Sequence, residues 1–458
     1  MVGSTIRRRN AHARSSITVF VFALTAVFIA LSHPARAVPS FARQTGLPCS
    51  QCHVVAFGPA LTAYGRQFKV NGYTFSKQDG GIKVPLSATA LTVFDSPNKA
   101  APTPSPYSNE DNLIVQDVSV FLAGRLAEHL GAFVKGTYFG VSRSAAWDSL
   151  DVRYARTLQL GGQSVVAGID VNNQPTVQDL WSSTPAWSYP YVRSELAPAP
   201  NGAPVIRGAL AQSVLGASAY AMINSQIYLE AGFYRGVSDK WLANLGNAGG
   251  SSHVSGAAPY VRLAFEQQKG PHYFQVGVLG FSVEQQPFST TSQTNRSTDY
   301  GVDATYQFVN GGAHSIDAHV SWIHERRNLD ASFVTNNSDA TSNSLDSVTA
   351  DVSYVFRQTW VGSAGVFNTS GSTNHLLFPP GAVFGSAAGS PASRGYRLQL
   401  EYVPFGKSDS FANPWVNLRV GLQYTGYLRF NGGDSNYDGF GRSAGDNNTL
   451  VLFAWLAF

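Results

Sequence analysis

Apolar and polar residues alternate along most of this chain from about residue 84 onward. In the segment 313–325 the two kinds of residue fall on opposite sides of an extended chain: Ile316, Ala318, Val320 and Trp322 against Asp317, His319, Ser321 and Glu325. The segments 345–357 and 414–427 repeat this arrangement. A period of two predicts β-strands with an apolar face toward lipid and a polar face toward a wet interior.

Sixteen segments of this kind can be counted, and together they predict an all-β fold. They cover residues 84–94, 113–126, 131–142, 148–160, 163–171, 206–222, 225–236, 257–267, 271–284, 298–309, 313–325, 345–357, 359–369, 394–405, 414–427 and 447–458. An even number of short alternating strands is typical of barrels in the bacterial outer membrane. We therefore predict a 16-stranded transmembrane outer-membrane β-barrel of porin-like size. The competing fold is a soluble protein of several sheets.

The connections between these segments mostly alternate between long and short. Long connections include residues 95–112, 172–205, 237–256, 326–344, 370–393 and 428–446. Outer-membrane barrels have short periplasmic turns and longer extracellular loops, so the alternation assigns a side to each end of the barrel. The longest connection, 172–205, either folds into the barrel mouth or remains a surface loop.

The composition supports a folded protein of the cell envelope. Charged residues make up 13% of the chain and aromatic residues 12%, which argues against disorder, since disordered chains have high charge and few aromatics. A largely apolar run, 17–31, follows Arg7, Arg8 and Arg9 and precedes Ala35-Arg36-Ala37. These features predict a cleaved signal peptide, 1–37, and a run this short disfavours the alternative of a membrane anchor. Loss of its five arginines would change the formal net charge from +4 to −1, so we expect no nucleic-acid partner.

The only two cysteines lie close to the predicted cleavage site, in the run Cys49-Ser50-Gln51-Cys52-His53. A C-x-x-C-H run indicates covalent attachment of one c-type haem. Cys49 and Cys52 would form thioethers with the haem, and His53 would be an axial ligand of the iron. The alternatives are a disulfide, which would close a very small loop, and a thioredoxin-like redox motif, which would follow a strand.

The segment that carries this motif, 38–83, is short for an independent cytochrome domain. It contains no methionine and no histidine besides His53, so a second axial ligand would have to come from the barrel or from water. The barrel candidates are His319, which is predicted to face the lumen, His129 and Met222. Since a chain this short buries little apolar surface alone, we expect it to lie inside or against the periplasmic mouth of the barrel.

Two acidic features belong to the outer loops. The run Asp434-Ser435-Asn436-Tyr437-Asp438-Gly439 matches the first half of a calcium-loop pattern, but Gly445 stands where the pattern needs a glutamate. A polar hairpin loop is therefore favoured over a calcium site. Asp434, Asp438 and Asp446 could raise the local concentration of cations.

The N-terminal residues also resemble a known family. Pro39-Ser40-Phe41-Ala42-Arg43-Gln44-Thr45-Gly46, the C-x-x-C-H run, Tyr64-Gly65-Arg66-Gln67-Phe68-Lys69 and Gly72-Tyr73 are similar to the outer-membrane fused monohaem cytochrome c–porins, whose best-known members are Fe(II) oxidases. The resemblance covers about 35 residues of the haem segment and, less specifically, the size of the barrel. It implies a haem domain that plugs or lines a 16-stranded barrel. It implies no iron-binding residues.

These observations predict a signal peptide (1–37), a monohaem cytochrome c segment (38–83) and an outer-membrane barrel (84–458). The expected function, which the family resemblance implies, is electron transfer across the outer membrane, with Fe(II) as the extracellular donor and a periplasmic carrier such as a soluble cytochrome as the acceptor. That activity would be an Fe(II):cytochrome c oxidoreductase. The alternatives are a diffusion porin with a haem-bearing plug or redox sensor, and a haem enzyme such as a peroxidase.

Overall fold

A computed structural model describes residues 40–77, 85–247, 253–287, 292–310, 313–413 and 415–458. The predicted signal peptide and the predicted boundary between the haem segment and the barrel lie outside these residues. The name haem segment is kept for residues 40–77.

The described residues form a closed antiparallel barrel of sixteen strands. The strands are β1 (Leu86–Pro97), β2 (Asn112–Ala127), β3 (Leu130–Phe139), β4 (Ser144–Leu160), β5 (Gln163–Asn172), β6 (Val214–Ile223), β7 (Ile227–Gly236), β8 (Ala258–Lys269), β9 (His272–Gln286), β10 (Asn295–Asn310), β11 (His314–Asn328), β12 (Ser342–Phe356), β13 (Trp360–Gly371), β14 (Ser393–Tyr402), β15 (Asn417–Arg429) and β16 (Thr449–Ala457). A three-residue segment, His253–Ser255, extends β8 along β9.

The barrel closes because β1 pairs with both β2 and β16. Thr89 lies opposite Ala457 in this closing pair, and the backbones of Ala88 and Phe458 exchange two hydrogen bonds of 2.6 and 2.9 Å. A closed barrel leaves no unpaired sheet edge, which is a requirement for crossing a bilayer with strands.

The alternation of side chains gives the barrel an apolar outer surface and a polar lumen. Val320 and Trp322 of β11 are 45% and 41% exposed on the outside, whereas Asp317 and His319 of the same strand are buried inside. Exposed Tyr354 and Leu422 repeat the pattern on β12 and β15. An apolar belt around a closed barrel is stable only in lipid. The protein therefore resides in the outer membrane, with its short turns at the periplasmic end.

Each of the sixteen predicted segments corresponds to a strand, and the largest difference is at the sixth. That strand was predicted to begin at residue 206 but begins at Val214. The preceding residues turn inward instead, because the backbone amides of Val205 and Ile206 donate to the buried carboxylates of Glu325 and Asp299, at 2.7 and 2.9 Å.

Helices are few and short in the described residues. They are α1 (Ser40–Thr45), α2 (Cys49–Cys52), α3 (Ala63–Val70), α4 (Asp239–Asn244) and α5 (Asp330–Val334), with 3₁₀ turns at Pro185–Trp187 and Ala444–Asn447. Within the described ranges, none of these helices has the length and apolar character needed to cross a membrane.

The lumen is filled by two parts of the chain. One is the haem segment, with α1 to α3. The other is the connection from β5 to β6, residues 173–213, which we call the inner loop. Of the two expectations for this connection, folding into the barrel is confirmed, because Trp181, Val192 and Ile206 are almost completely buried.

Candidate haem site inside the barrel

The two cysteines lie on a single helical turn. Helix α2 consists of Cys49–Cys52, and His53 leaves it in an extended conformation (φ −118°, ψ 141°). Residues three apart lie on the same face of a helix, so both thiols can approach one planar group. Neither thiol forms a disulfide. Cys49 is buried, and Cys52 is half-buried.

Helix α3 packs directly on this turn. The hydroxyl of Thr62 accepts from the amide of Gly65 at the start of α3 (3.2 Å) and donates to the carbonyl of Gln51 (2.6 Å). The amide of Thr62 donates to the carbonyl of Cys52 at 2.9 Å. A Cβ atom on Gly65 would lie only 2.2 Å from the same carbonyl oxygen. Glycine at this position therefore lets α3 reach the C-x-x-C-H turn.

We expect Gly65→Ala to displace α3 from this turn and to lower the amount of haem bound per protein. The clash involves backbone, and overpacking of this kind costs about 1–3 kcal/mol. The measurement is haem absorbance relative to protein concentration in the purified protein. Gly362→Ala is a matched control, because a Cβ atom on Gly362 meets no atom within 4 Å. Equal haem content in both variants would contradict this account of Gly65.

Burial sets the protonation of the three candidate haem residues. It raises the pKa of the Cys49 thiol to about 11 and that of Cys52 to about 12. It lowers the pKa of the His53 imidazole to about 4, and the nearby charge of Arg419 acts in the same direction. At neutral pH the turn therefore presents two thiols and a neutral imidazole. This donor set fits a c-type haem, which is bound by two thioethers and one histidine.

The haem segment is fixed to one side of the barrel wall through Arg419 of β15. Its guanidinium donates to the carbonyl of Phe57 at 2.8 Å and forms two hydrogen bonds with Glu401 at 2.6 and 2.8 Å. The ring of Phe57 packs edge-on against Trp455, with 4.9 Å between centroids. Both Arg419 and Glu401 are buried, and such pairs are costly to break because one charge remains unpartnered.

Further polar contacts fix the haem segment to other strands of the wall. Tyr73 donates to Asp151 of β4 at 2.7 Å. Arg66 donates to Gln307 of β10 at 2.7 Å. Since Gln307 lies near the periplasmic end of its strand, as Arg419 does, the segment occupies the periplasmic half of the lumen.

Lys69 joins the haem segment to the inner loop. The ammonium group of Lys69 donates to the carbonyls of Val177 and Asp179 at 2.8 and 2.7 Å. The inner loop is itself tied to the wall, because Arg262 of β8 forms an ion pair with Asp179 at 3.5 Å. The haem segment, the inner loop and the wall thus form one continuous polar network.

His319 faces the lumen, as its position in the alternation predicted. Its Nδ1 lies 3.0 Å from Asp351, and its Nε2 lies 3.4 Å from Asp317. In the part of the chain that the structure describes, its polar partners are these two carboxylates, and neither belongs to the C-x-x-C-H turn. The structure thus brings Cys49, Cys52 and His53 together but gives His319 other partners. Its assignment as sixth ligand stays a prediction.

The other two barrel candidates for the sixth ligand lie near periplasmic turns. His129 is in the turn between β2 and β3, where its ring lies 3.8 Å from Glu128. Met222 is buried in a cluster that includes Val70 of helix α3. Met222 therefore shares a buried apolar cluster with the haem segment.

The three acidic residues of the outer loops were expected to raise the local concentration of cations, but two of them have partners within the loops. Asp438 is buried and accepts hydrogen bonds from the amides of Val383, Phe440 and Arg442. Asp446 pairs with Lys99 at 3.2 Å and caps a 3₁₀ turn. Their carboxylates close the loop rather than face solvent freely. Asp434 is the exposed member of the set.

The ion pairs between charged residues at lumen-facing positions were not predicted by the sequence analysis. Arg153 pairs with Asp151 at 2.8 Å, and Arg262 donates to Asp303 at 2.9 Å. The sequence does indicate where such residues lie, because a charged residue within a barrel strand is tolerated only at the positions that the alternation directs to the lumen.

An open cavity of about 680 Å³ lies at the extracellular end of the lumen. The inner loop contributes Val205 and Gln212 to its lining, and the wall contributes Ser297 and Arg327. The extracellular end of the barrel therefore admits solvent as far as the inner loop.

Comparison with protein-family models found no match, and comparison with curated proteins found none. Similar solved structures include the outer membrane channel DcaP of Acinetobacter baumannii, with 11% identity over 83% of this chain and 99% of that chain and a TM-score of 0.47. They also include Salmonella typhi OmpF in complex with daunomycin (13% identity, 82% and 98% covered, TM-score 0.44). A third is an anion-selective porin from Comamonas acidovorans (14% identity, 81% and 98% covered, TM-score 0.43). The barrel fold of this chain is shown by the hydrogen-bonded pairing of its own strands.

Proposed function

We propose that this chain binds one covalent haem c through Cys49, Cys52 and His53 and transfers electrons across the outer membrane. The donor would be extracellular Fe(II), and the acceptor would be a periplasmic carrier such as a soluble cytochrome. The observation that carries this proposal is the C-x-x-C-H turn, which has two unpaired thiols and is held in the periplasmic half of a barrel lumen. This function would place the chain with the fused cytochrome c–porins that its N-terminal residues resemble.

A haem bound in this way supplies one-electron chemistry, because its iron cycles between the ferric and ferrous states. Each Fe(II) ion oxidised to Fe(III) yields one electron, and the periplasmic carrier accepts it. The chain's own residues hold the site in place and limit its access. Arg419 and Tyr73 fix the haem segment to the wall, and the inner loop separates it from the outer cavity. Gln51 is exposed and Cys52 is half-buried, so this turn is accessible to solvent.

The second candidate function is a diffusion porin in which the haem segment serves as a plug or redox sensor. The barrel has the strand number of porins, and the outer cavity is open. The haem segment and inner loop touch the wall through side-chain contacts, so displacement of the inner loop alone would widen the passage through the lumen, and displacement of both would clear it, without breaking the barrel.

The spectrum of the purified full-length protein, recorded before and after anaerobic addition of Fe(II), tests the leading proposal. We expect Fe(II) to convert the oxidised haem spectrum to the reduced one, whereas Mn(II), a divalent cation that does not donate an electron under these conditions, leaves it unchanged. If the haem stays oxidised with Fe(II) while proteoliposomes containing the protein pass small solutes, the porin function replaces electron transfer.

A further inference from the structure

Most arginines that face the lumen have a carboxylate partner. The pairs are Arg153 with Asp151, Arg262 with Asp303, Arg327 with Glu325 and Arg419 with Glu401. This pairing is expected, because a guanidinium removed from water without an opposite charge is strongly destabilising. An arginine in the lumen that lacks such a partner therefore requires another explanation.

Arg207 and Arg397 are two half-buried arginines without such a partner. Arg207 belongs to the inner loop and follows the anchored residue Ile206, and its Nε atom is buried without a hydrogen bond. Arg397 is on β14, at a lumen-facing position, and its guanidinium lies 4.4 Å above the ring of Phe367. Neither forms an ion pair within the described residues. Burial, and then the charge of Arg397, lower the pKa of Arg207 to about 10.

The hydroxyl of Tyr189 is a third unpartnered group, and Tyr189 lies beside Arg397. Tyr189 belongs to the inner loop, is 5% exposed, and has no hydrogen bond on its hydroxyl within the described residues. A Cβ atom on Gly365 would lie 2.9 Å from its ring. Gly365 is directly opposite Arg397 in the pairing of β13 with β14. The absence of a side chain at Gly365 therefore lets Tyr189 pack beside Arg397.

The carboxylates near Tyr189 do not neutralise this cluster, because each has a closer partner. Asp351 and Glu401 both act electrostatically on Tyr189. Asp351, however, lies 3.0 Å from the imidazole of His319, and Glu401 lies 2.6 Å from the guanidinium of Arg419. Two positive charges and one hydroxyl donor thus share a region of the lumen with no free anion from the described part of the chain.

We propose that Arg207, Arg397 and Tyr189 form a binding site for a small oxyanion of the phosphate type. Guanidinium groups match such anions because their N–H groups form paired hydrogen bonds with two oxygens. The tyrosine hydroxyl adds a neutral donor, and two guanidinium groups suit a doubly charged anion. The site joins the inner loop to the wall, so a bound anion would also hold the loop against β14. The proposal does not depend on the haem.

Equilibrium dialysis of the full-length protein in detergent with labelled inorganic phosphate tests this site. We expect saturable binding of one phosphate per chain, and at least tenfold weaker binding in Arg207→Gln and Arg397→Gln, since each variant loses one charge-assisted hydrogen-bonded pair. Arg394→Gln is the matched control, because Arg394 is on the same strand but exposed on the outer surface. It should bind phosphate as the unmodified protein does.

Thermal unfolding of the unmodified protein provides a second measurement that needs no variant. Phosphate should raise the unfolding temperature more than sodium chloride of equal ionic strength, because a ligand specific for the folded state stabilises it. Absence of saturable binding, or equal weakening in Arg394→Gln, would overturn the proposal. Binding only after loss of haem in Cys49→Ala/Cys52→Ala would also overturn it, since the arginines would then serve the haem carboxylates.

Discussion

Substitution of Cys52 by alanine is expected to remove most of the covalently bound haem and to abolish reduction of the protein by Fe(II). The variant keeps Cys49 and His53 but loses one of the two thioethers that the C-x-x-C-H run provides. Since Cys52 is half-buried and forms no disulfide, its side chain has little structural role in the turn. The measurements are haem absorbance after denaturing electrophoresis and the spectral response to Fe(II).

Ser50→Ala is the control for this experiment, because Ser50 lies in the same turn but carries no thiol. It should retain both the haem and its response to Fe(II). Covalent haem at the normal level in Cys52→Ala would show that the cysteine pair is not the attachment site. Normal barrel content in the membrane fraction, together with loss of haem, would confirm that the effect is local.

Replacement of Arg262 by methionine should release the inner loop and raise the ion conductance of the barrel. Arg262 is almost completely buried and contacts Asp179 of the inner loop and Asp303 of the wall. Its removal takes the paired guanidinium away from both carboxylates, a change that costs about 3–5 kcal/mol. If that cost is relieved by loop displacement, the open fraction rises roughly 100- to 5000-fold. Conductance across planar bilayers measures this directly.

Arg296→Met is the control for this second experiment, since Arg296 and its partner Glu284 are exposed and exposed pairs contribute only about 0–1 kcal/mol. Its conductance should equal that of the unmodified protein. The double variant Arg262→Met/Asp303→Asn should lower the conductance again, because it removes one of the two stranded charges. Unchanged conductance in folded Arg262→Met would mean that the loop is held by its other contacts.

The strands could be predicted because their signal is local. Alternation in 313–325 fixes which side of β11 faces the lumen, and it placed His319 correctly. The start of β6 was wrong because Val205, Ile206 and Leu210 are apolar, as strand residues are, yet they pack against the inside of the wall. Apolar character indicates burial without indicating which structure buries it.

The partners of the buried charges could not be predicted from the sequence. Asp179 of the inner loop and Arg262 of the wall form an ion pair inside the lumen. They are far apart in the chain, so no local pattern connects them. The same holds for Arg419 and the carbonyl of Phe57. The C-x-x-C-H run was recognisable because its chemistry requires fixed spacing. The residues around it are set by tertiary contacts, as are Arg207, Arg397 and Tyr189.

The closure of β1 against β16 constrains the order of assembly. Helices α1 to α3 precede β1 in the chain and end up enclosed by the strands that come after them. The ring is complete only after β16 has joined, so the growing wall can wrap around the haem segment without any need to thread it through a finished pore. A group attached to Cys49 and Cys52 must then be added before the ring closes, or else enter through the periplasmic opening. For the haem proposed above, the first of these routes would place attachment to Cys49 and Cys52 before the barrel is complete.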